Sequence, residues 1–187
     1  MLKIQYKISD VYHLEGETYS INACFDNILR ILDLMVDPTI PEFMRYDIAL
    51  EMLLGDDLPE YDAESKQEIL KDVLSNYVKA EKEVIRDIAG NVIDLPEKES
   101  EPVFDYYEDS ELIYAAFMQV YGIDLIEEQG KLHWSKFKAL LEGLPSGTRL
   151  TEIISIRSWN EFDEKKSYKQ HMREMKQKHR LKGGQHG

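Results

Sequence analysis

Residues 18–36 read TYSINACFDNILRILDLMV, and the hydrophobic period changes inside this stretch. Thr18-Tyr19-Ser20-Ile21 has strand character, whereas Phe25, Ile28, Leu29, Leu32 and Met35 recur at helical spacing on one face. The spacing predicts a helix over 23–36 with Asn22 as N-cap and Pro38 beyond its end. Upstream, Leu2, Ile4, Tyr6 and Ile8 alternate with Lys3, Gln5 and Lys7, the period of a half-buried strand. Glu15-Gly16-Glu17 supplies a turn between the two runs, so a β-hairpin is expected at the N-terminus.

After Asn22 the period stays helical. Pro41 suits a first turn, Met44, Ile48 and Met52 fall four apart, and Gly55 supplies a stop for a second helix. Ser65 and Glu68 have capping-box spacing at the start of a third, with Leu70, Val73, Leu74, Tyr77 and Val78 as its apolar face. From Asp87 to Asp109 periodicity is lost among acidic residues, Gly90, Pro96 and Pro102, which predicts a surface loop. Leu112, Ile113, Ala116, Phe117, Val120 and Tyr121 form a fourth face, closed by Gly122. Trp134, Phe137, Leu140, Leu141 and Leu144 form a fifth, before Gly143 and Pro145, and Leu150, Ile153, Ile154 and Trp159 a short sixth capped by Thr148. The fold class expected is mainly α (α+β), an N-terminal β-hairpin followed by a bundle of five to seven helices. One domain spans 1–160, and 161–187 form a basic amphipathic arm with a disordered tip. Asp-Leu-Pro-Glu occurs at 57–60 and at 94–97, but the flanks differ, which argues against an internal repeat.

The chain of 187 residues is long enough for a sizeable core, and 43% hydrophobic with 32% charged residues is the balance of a folded, soluble body. No window approaches the ~18 consecutive apolar residues of a membrane span, and the first residues lack the apolar core of a secretion signal. The single cysteine, Cys24, cannot form an internal disulfide, consistent with a reducing cytosol. The net charge of −13 is segregated: the residues from Glu164 onward carry +6, so residues 1–163 carry −19. Such a body repels nucleic acid and anionic membrane, while the arm can touch an acidic surface or simply confer solubility.

Motifs for catalysis are missing. The sequence has no G-x-S-x-G, H-E-x-x-H or EF-hand loop, and GLPSGTR at 143–149 lacks the Gly-Lys-Ser/Thr ending of a phosphate loop. His13, His133, His171, His179 and His186 have no metal-ligand spacing, so neither a metal nor another cofactor is expected. Cys24 reads as a small core filler, with a helix-activated thiol as the alternative. His133, near Glu127 and Glu128, reads as a histidine satisfied by a local carboxylate or carbonyl, with an acid–base group as the alternative. The pairs Asp56-Asp57, Glu108-Asp109 and Glu127-Glu128 read as solvated faces. No enzymatic activity is expected.

The run Gln129-Gly130-Lys131-Leu132-His133-Trp134, with Phe137, Leu140, Leu141, Gly143, Leu144 and Pro145, resembles the phage gene-product-fifteen family of Gram-positive siphophages. The likeness extends to Phe25-Asp26-Asn27 with Leu29 and Leu32, and to Ile48-Ala49-Leu50 with Leu53 and Gly55. It also takes in Phe104-Asp105, Phe117-x3-Tyr121-Gly122-Ile123-Asp124-Leu125, and Ile156-Arg157-Ser158-Trp159. Ser135 stands where the family often carries a second aromatic. Members are usually encoded immediately before the tape-measure gene, and the resemblance implies a tail assembly chaperone acting in the host cytoplasm. Its partner would be the long, helical, aggregation-prone tape-measure protein, with the tail-tube protein and a further copy of this chain as additional partners. A minor component retained in the virion tail is the alternative. Trp134 and Trp159 are the candidate apolar contacts, each with burial in the core as the competing role, and Lys165, Lys166, Lys169 and Arg173 are the candidate basic contacts.

Overall fold

The computed structural model describes residues 8, 10–56, 58–77, 102–160 and 166–182. The expected hairpin is present, but its first strand is displaced. β1 (Val11–Leu14) pairs antiparallel with β2 (Glu17–Ser20), Leu14 opposite Glu17. Glu15 and Gly16 form the two-residue turn with φ of 52° and 92°, the backbone that matches strand twist. The alternation over Leu2–Tyr6 lies outside the described residues, and Ile8 is in no strand.

Helix α1 (Phe25–Val36) starts two residues later than the sequence suggests, with Cys24 and not Asn22 at the N-cap. The reason is tertiary. Cys24 remains extended because it bridges antiparallel to His133: the Trp134 N–H donates to the Ala23 carbonyl at 2.8 Å, and the Phe25 N–H to the Leu132 carbonyl at 2.9 Å. Asn22 has another task. Its N–H donates to the Leu53 carbonyl at 2.8 Å, and the buried Asn27 amide donates to the carbonyls of Asn22 and Met52, both at 2.9 Å. These bonds fix α1 against the C-terminal end of α2 (Glu42–Leu54).

That anchoring sets which face of α2 turns inward. Tyr46, Ala49, Leu50, Leu53 and Leu54 are buried, while Met44 is 43% exposed and Ile48 and Met52 are only half-buried. The expected Met44-Ile48-Met52 stripe is thus corrected by roughly 150°, about 0.4 of a turn, to the 46, 49, 50, 53 stripe. In α3 (Ala63–Tyr77) the cap is Asp62, whose carboxylate accepts the Ser65 N–H at 2.8 Å, and not Ser65 itself. That bond holds the Asp62 carboxyl below its usual range. Leu70 and Val73 face inward as expected, Leu74 is half-buried, and Ile69, not among the expected positions, is buried with them; the Tyr77 side chain and Val78 lie outside what is described.

Helices α4 (Ser110–Tyr121), α5 (Trp134–Glu142) and α6 (Arg149–Ser158) follow, α6 capped by Thr148 through the Thr151 N–H at 3.2 Å. The last, α7 (Lys166–Lys178), lies in the C-terminal arm. Seven helices and one two-stranded sheet are therefore found among the described residues. The principal packing runs in series, α3 on α2, α2 on α1, α1 on α5, α5 on α4, α4 on α6 and α6 on α7.

Phe137 sits at the middle of the series, 1% exposed, and stacks on three rings: Phe25 at 4.9 Å, Phe117 at 5.2 Å and Trp134 at 5.5 Å. Offset aromatic stacking adds to the gain from area burial, so this cluster joins α1, α4 and α5. Phe137→Ala is expected to cost ~3–5 kcal/mol, and Asn27→Ala, which strands two carbonyls, ~1–3 kcal/mol. Denaturant midpoints of the two variants check the order; an Asn27→Ala loss larger than that of Phe137→Ala would contradict it.

Candidate functional site

Asp109 precedes α4 and is 1% exposed, although its sequence context beside Glu108 suggested a solvated carboxylate. Its partner is Arg157, near the end of α6. Arg157 donates to both carboxylate oxygens, from Nη1 at 2.6 Å and Nη2 at 2.9 Å. The same guanidinium donates to the Val103 carbonyl at 3.2 Å and, through Nε, to the His179 carbonyl at 2.6 Å. One side chain therefore ties together the 103–109 turn, α4, α6 and the segment after α7. Asp105 shapes the turn by accepting the N–H groups of Tyr107 and Glu108 at 2.8 and 2.7 Å, and Asp109 accepts the Asp105 N–H at 3.1 Å. A further strap forms where the Lys182 N–H donates to the Glu108 carboxylate at 2.8 Å.

Sequence reasoning missed this junction. Arg157 stood out only as part of Ile156-Arg157-Ser158-Trp159, and the available signal was a lone arginine among apolar helix positions. The arm expected from residue 161 is bound to the body at residues 179–182; its proposed starting boundary, 161–165, lies outside the described residues.

The candidate contacts separate. Trp134 is 2% exposed and belongs to the aromatic core, with Lys138 Nζ 5.6 Å from its ring, so it is not available at the described surface. Trp159, the C-cap of α6, is half-buried and meets the ring of Tyr168 edge-on at 6.4 Å. Lys165 lies outside the described residues, and Lys166 opens α7. Lys169 and Arg173 share a flank of α7 with Lys176, at i, i+4 and i+7, which continues to Arg180. Arg173, Lys176, Gln177 and Arg180 line a groove of about 380 Å³ together with Pro102, Arg157 and Leu181.

A serine, a histidine and an aspartate also meet, at the start of α5. His133 Nε2 lies 2.9 Å from Asp10 and Nδ1 lies 2.8 Å from the Ser135 hydroxyl. The arrangement is a helix cap: Nδ1 accepts the Ser135 N–H at 3.0 Å, so its lone pair is engaged. The carboxylate is Asp10, distant in sequence, and not Glu127 or Glu128. None of these three residues lines the α7 groove. Beside them the half-buried Cys24 thiol is pushed up by burial and then by Asp26 and Asp10, which opposes thiolate formation. Among the described residues, no cluster of three histidine, cysteine or carboxylate side chains could hold a metal ion.

The sequence pattern described as bacteriophage Gp15 protein matches residues 5–181. The chain belongs to that family. No curated protein and no solved structure matches it. In this family member the Gln129–Trp134 run supplies the strand-like partner of residues 23–25, and Ile156–Trp159 carries the Arg157 junction. Among the described residues no helix is long and apolar enough to cross a membrane.

His179 makes the junction sensitive to pH. Its Nε2 is buried with no hydrogen-bond partner among the described residues. Burial first, then Arg149, Lys178 and Arg157, lowers its pKa. A histidine whose folded-state pKa is depressed takes up a proton more readily when undocked. Stability from docking is therefore complete above the ordinary imidazole range and lost as pH falls below about 6.5. His179→Gln is expected to lose less thermal stability than wild type between about pH 7.5 and pH 5.5. Equal losses in the two proteins would contradict a role for His179.

Proposed function

We propose that the chain is a tail assembly chaperone that binds the tape-measure protein while a long non-contractile tail is built. Membership of the phage family supports the setting. The observation that supports the mode of action is the aromatic corner where α6 meets α7. Trp159 is half-buried there, Tyr168 is 44% exposed, and Lys169 lies beside them on α7. Amphipathic helices of an unassembled partner expose apolar stripes, and covering such a stripe requires apolar surface on the chaperone. Aromatic side chains flanked by cations are suited to this because they bury large areas with little loss of side-chain freedom.

Co-expression with the product of the next gene downstream, followed by affinity capture, tests the reading. Wild type should capture and solubilise that product. Trp159→Ala should weaken capture at an unchanged melting temperature, whereas Trp134→Ala should lower the melting temperature in proportion to any loss of capture. A wild-type protein that captures nothing would overturn the proposal. Mass spectrometry that finds the chain in purified particles would favour the virion-component role.

A further inference from the structure

The described surface carries two grooves of opposite charge. The α7 groove has Arg157, Arg173, Lys176 and Arg180 along its walls and no carboxylate among its described lining residues. The second, about 300 Å³, lies at the α2–α3 turn between Asp47, Glu51, Asp56, Glu60 and Lys66, over an apolar floor of Leu50, Leu58 and Pro59. Lys66 Nζ is 2.7 Å from Asp47, which leaves Glu51, Asp56 and Glu60 exposed and without a salt bridge among the described residues.

Their placement in the fold is as telling as their charge. In the series α3–α2–α1–α5–α4–α6–α7, the acidic groove belongs to the first pair and the basic groove to the last. The imbalance is also present in the whole sequence, −19 up to residue 163 and +6 after it. On the basic side, Arg157 is committed to Asp109, while Arg173 and Arg180 each keep a contact inside the chain. Five donors on a guanidinium nevertheless leave capacity for a carboxylate; Arg173 and Lys176 lie about one turn apart on α7, and Arg180 lies just past its end. Asp47 and Glu51 lie one turn apart on α2, and Asp56 and Glu60 line the same groove before α3.

We infer that the α7 groove of one copy receives the α2–α3 groove of a second copy, giving head-to-tail self-association. Complementary charge favours the approach of these two surfaces and opposes the pairing of like with like. The contact is heterologous, because each copy uses a different patch. It propagates into a closed ring if the rotation per copy closes and into a filament otherwise. Screening by salt weakens a contact of this kind, since its charges lie at the surface.

Charge exchange between the two grooves tests the inference. One variant carries Arg173→Glu, Lys176→Glu and Arg180→Glu; the other carries Glu51→Lys, Asp56→Lys and Glu60→Lys. In sedimentation velocity, wild type should self-associate with rising concentration and dissociate at high ionic strength. Each variant alone should bind itself at least about tenfold more weakly. An equimolar mixture should associate again, because the unaltered basic groove of the second variant meets the unaltered acidic groove of the first. Recovery in the mixture also shows that both variants are folded. Wild type that stays monomeric throughout, a dimer indifferent to both triple substitutions, or a mixture no more associated than its components would overturn the inference.

Discussion

A carboxylate that is 1% exposed cannot remain charged in a protein interior without a cation and a full set of donors, and Asp109 has both in Arg157. A buried pair is not by itself a large source of net stability, since desolvating both ions offsets much of the attraction. Its effect is on arrangement. The fork of the guanidinium meets the two carboxylate oxygens in one orientation only, and its remaining donors reach the carbonyls of Val103 and His179. The positions of α4, α6 and the end of α7 are therefore linked: displacing any one leaves a buried group unsatisfied. The basic groove exists because this junction holds α7 beside α6.

At the other end of the packing series the constraint is a backbone seam. Residues 23–25 and 132–134 exchange two hydrogen bonds, and Asn27 spends its amide on the carbonyls of Asn22 and Met52. The Phe137 cluster packs directly on this seam, so the polar and apolar parts support the same geometry. The His133 cap, with Asp10 behind it, completes the start of α5. Hairpin, α1, α2 and α5 are thereby joined by contacts between segments far apart in sequence.

This division explains what could be read from the residues. Helices with a clear apolar stripe and a terminal glycine or proline were legible, as in Phe25–Val36 before Pro38 and Ser110–Tyr121 before Gly122, because those signals are local. The caps were legible where the side chain bonds its own helix, as at Thr148, and misread at Asn22, whose N–H is drawn to Leu53. Met44 looked like an inward position from its spacing alone; a bond to another helix turned α2 away from it. Asp109 looked solvated because its neighbour Glu108 is acidic, and nothing local reveals a partner 48 residues away. Of the candidate contacts, Trp134 proved to be core, while Lys169 and Arg173 fell on one flank by helical spacing. The acidic groove opposite them depended on the α2–α3 turn and had no sequence signature.

The end of the last helix is held to the body by Arg157, which is itself fixed by Asp109, and by the Lys182–Glu108 strap. Native-state hydrogen exchange of wild type and Asp109→Asn measures this directly. Asp109→Asn is expected to expose amides over 102–109 and 166–182 to faster exchange, while α1 and α5 keep their protection. Unchanged protection in 166–182, or an equal loss throughout the chain, would contradict it.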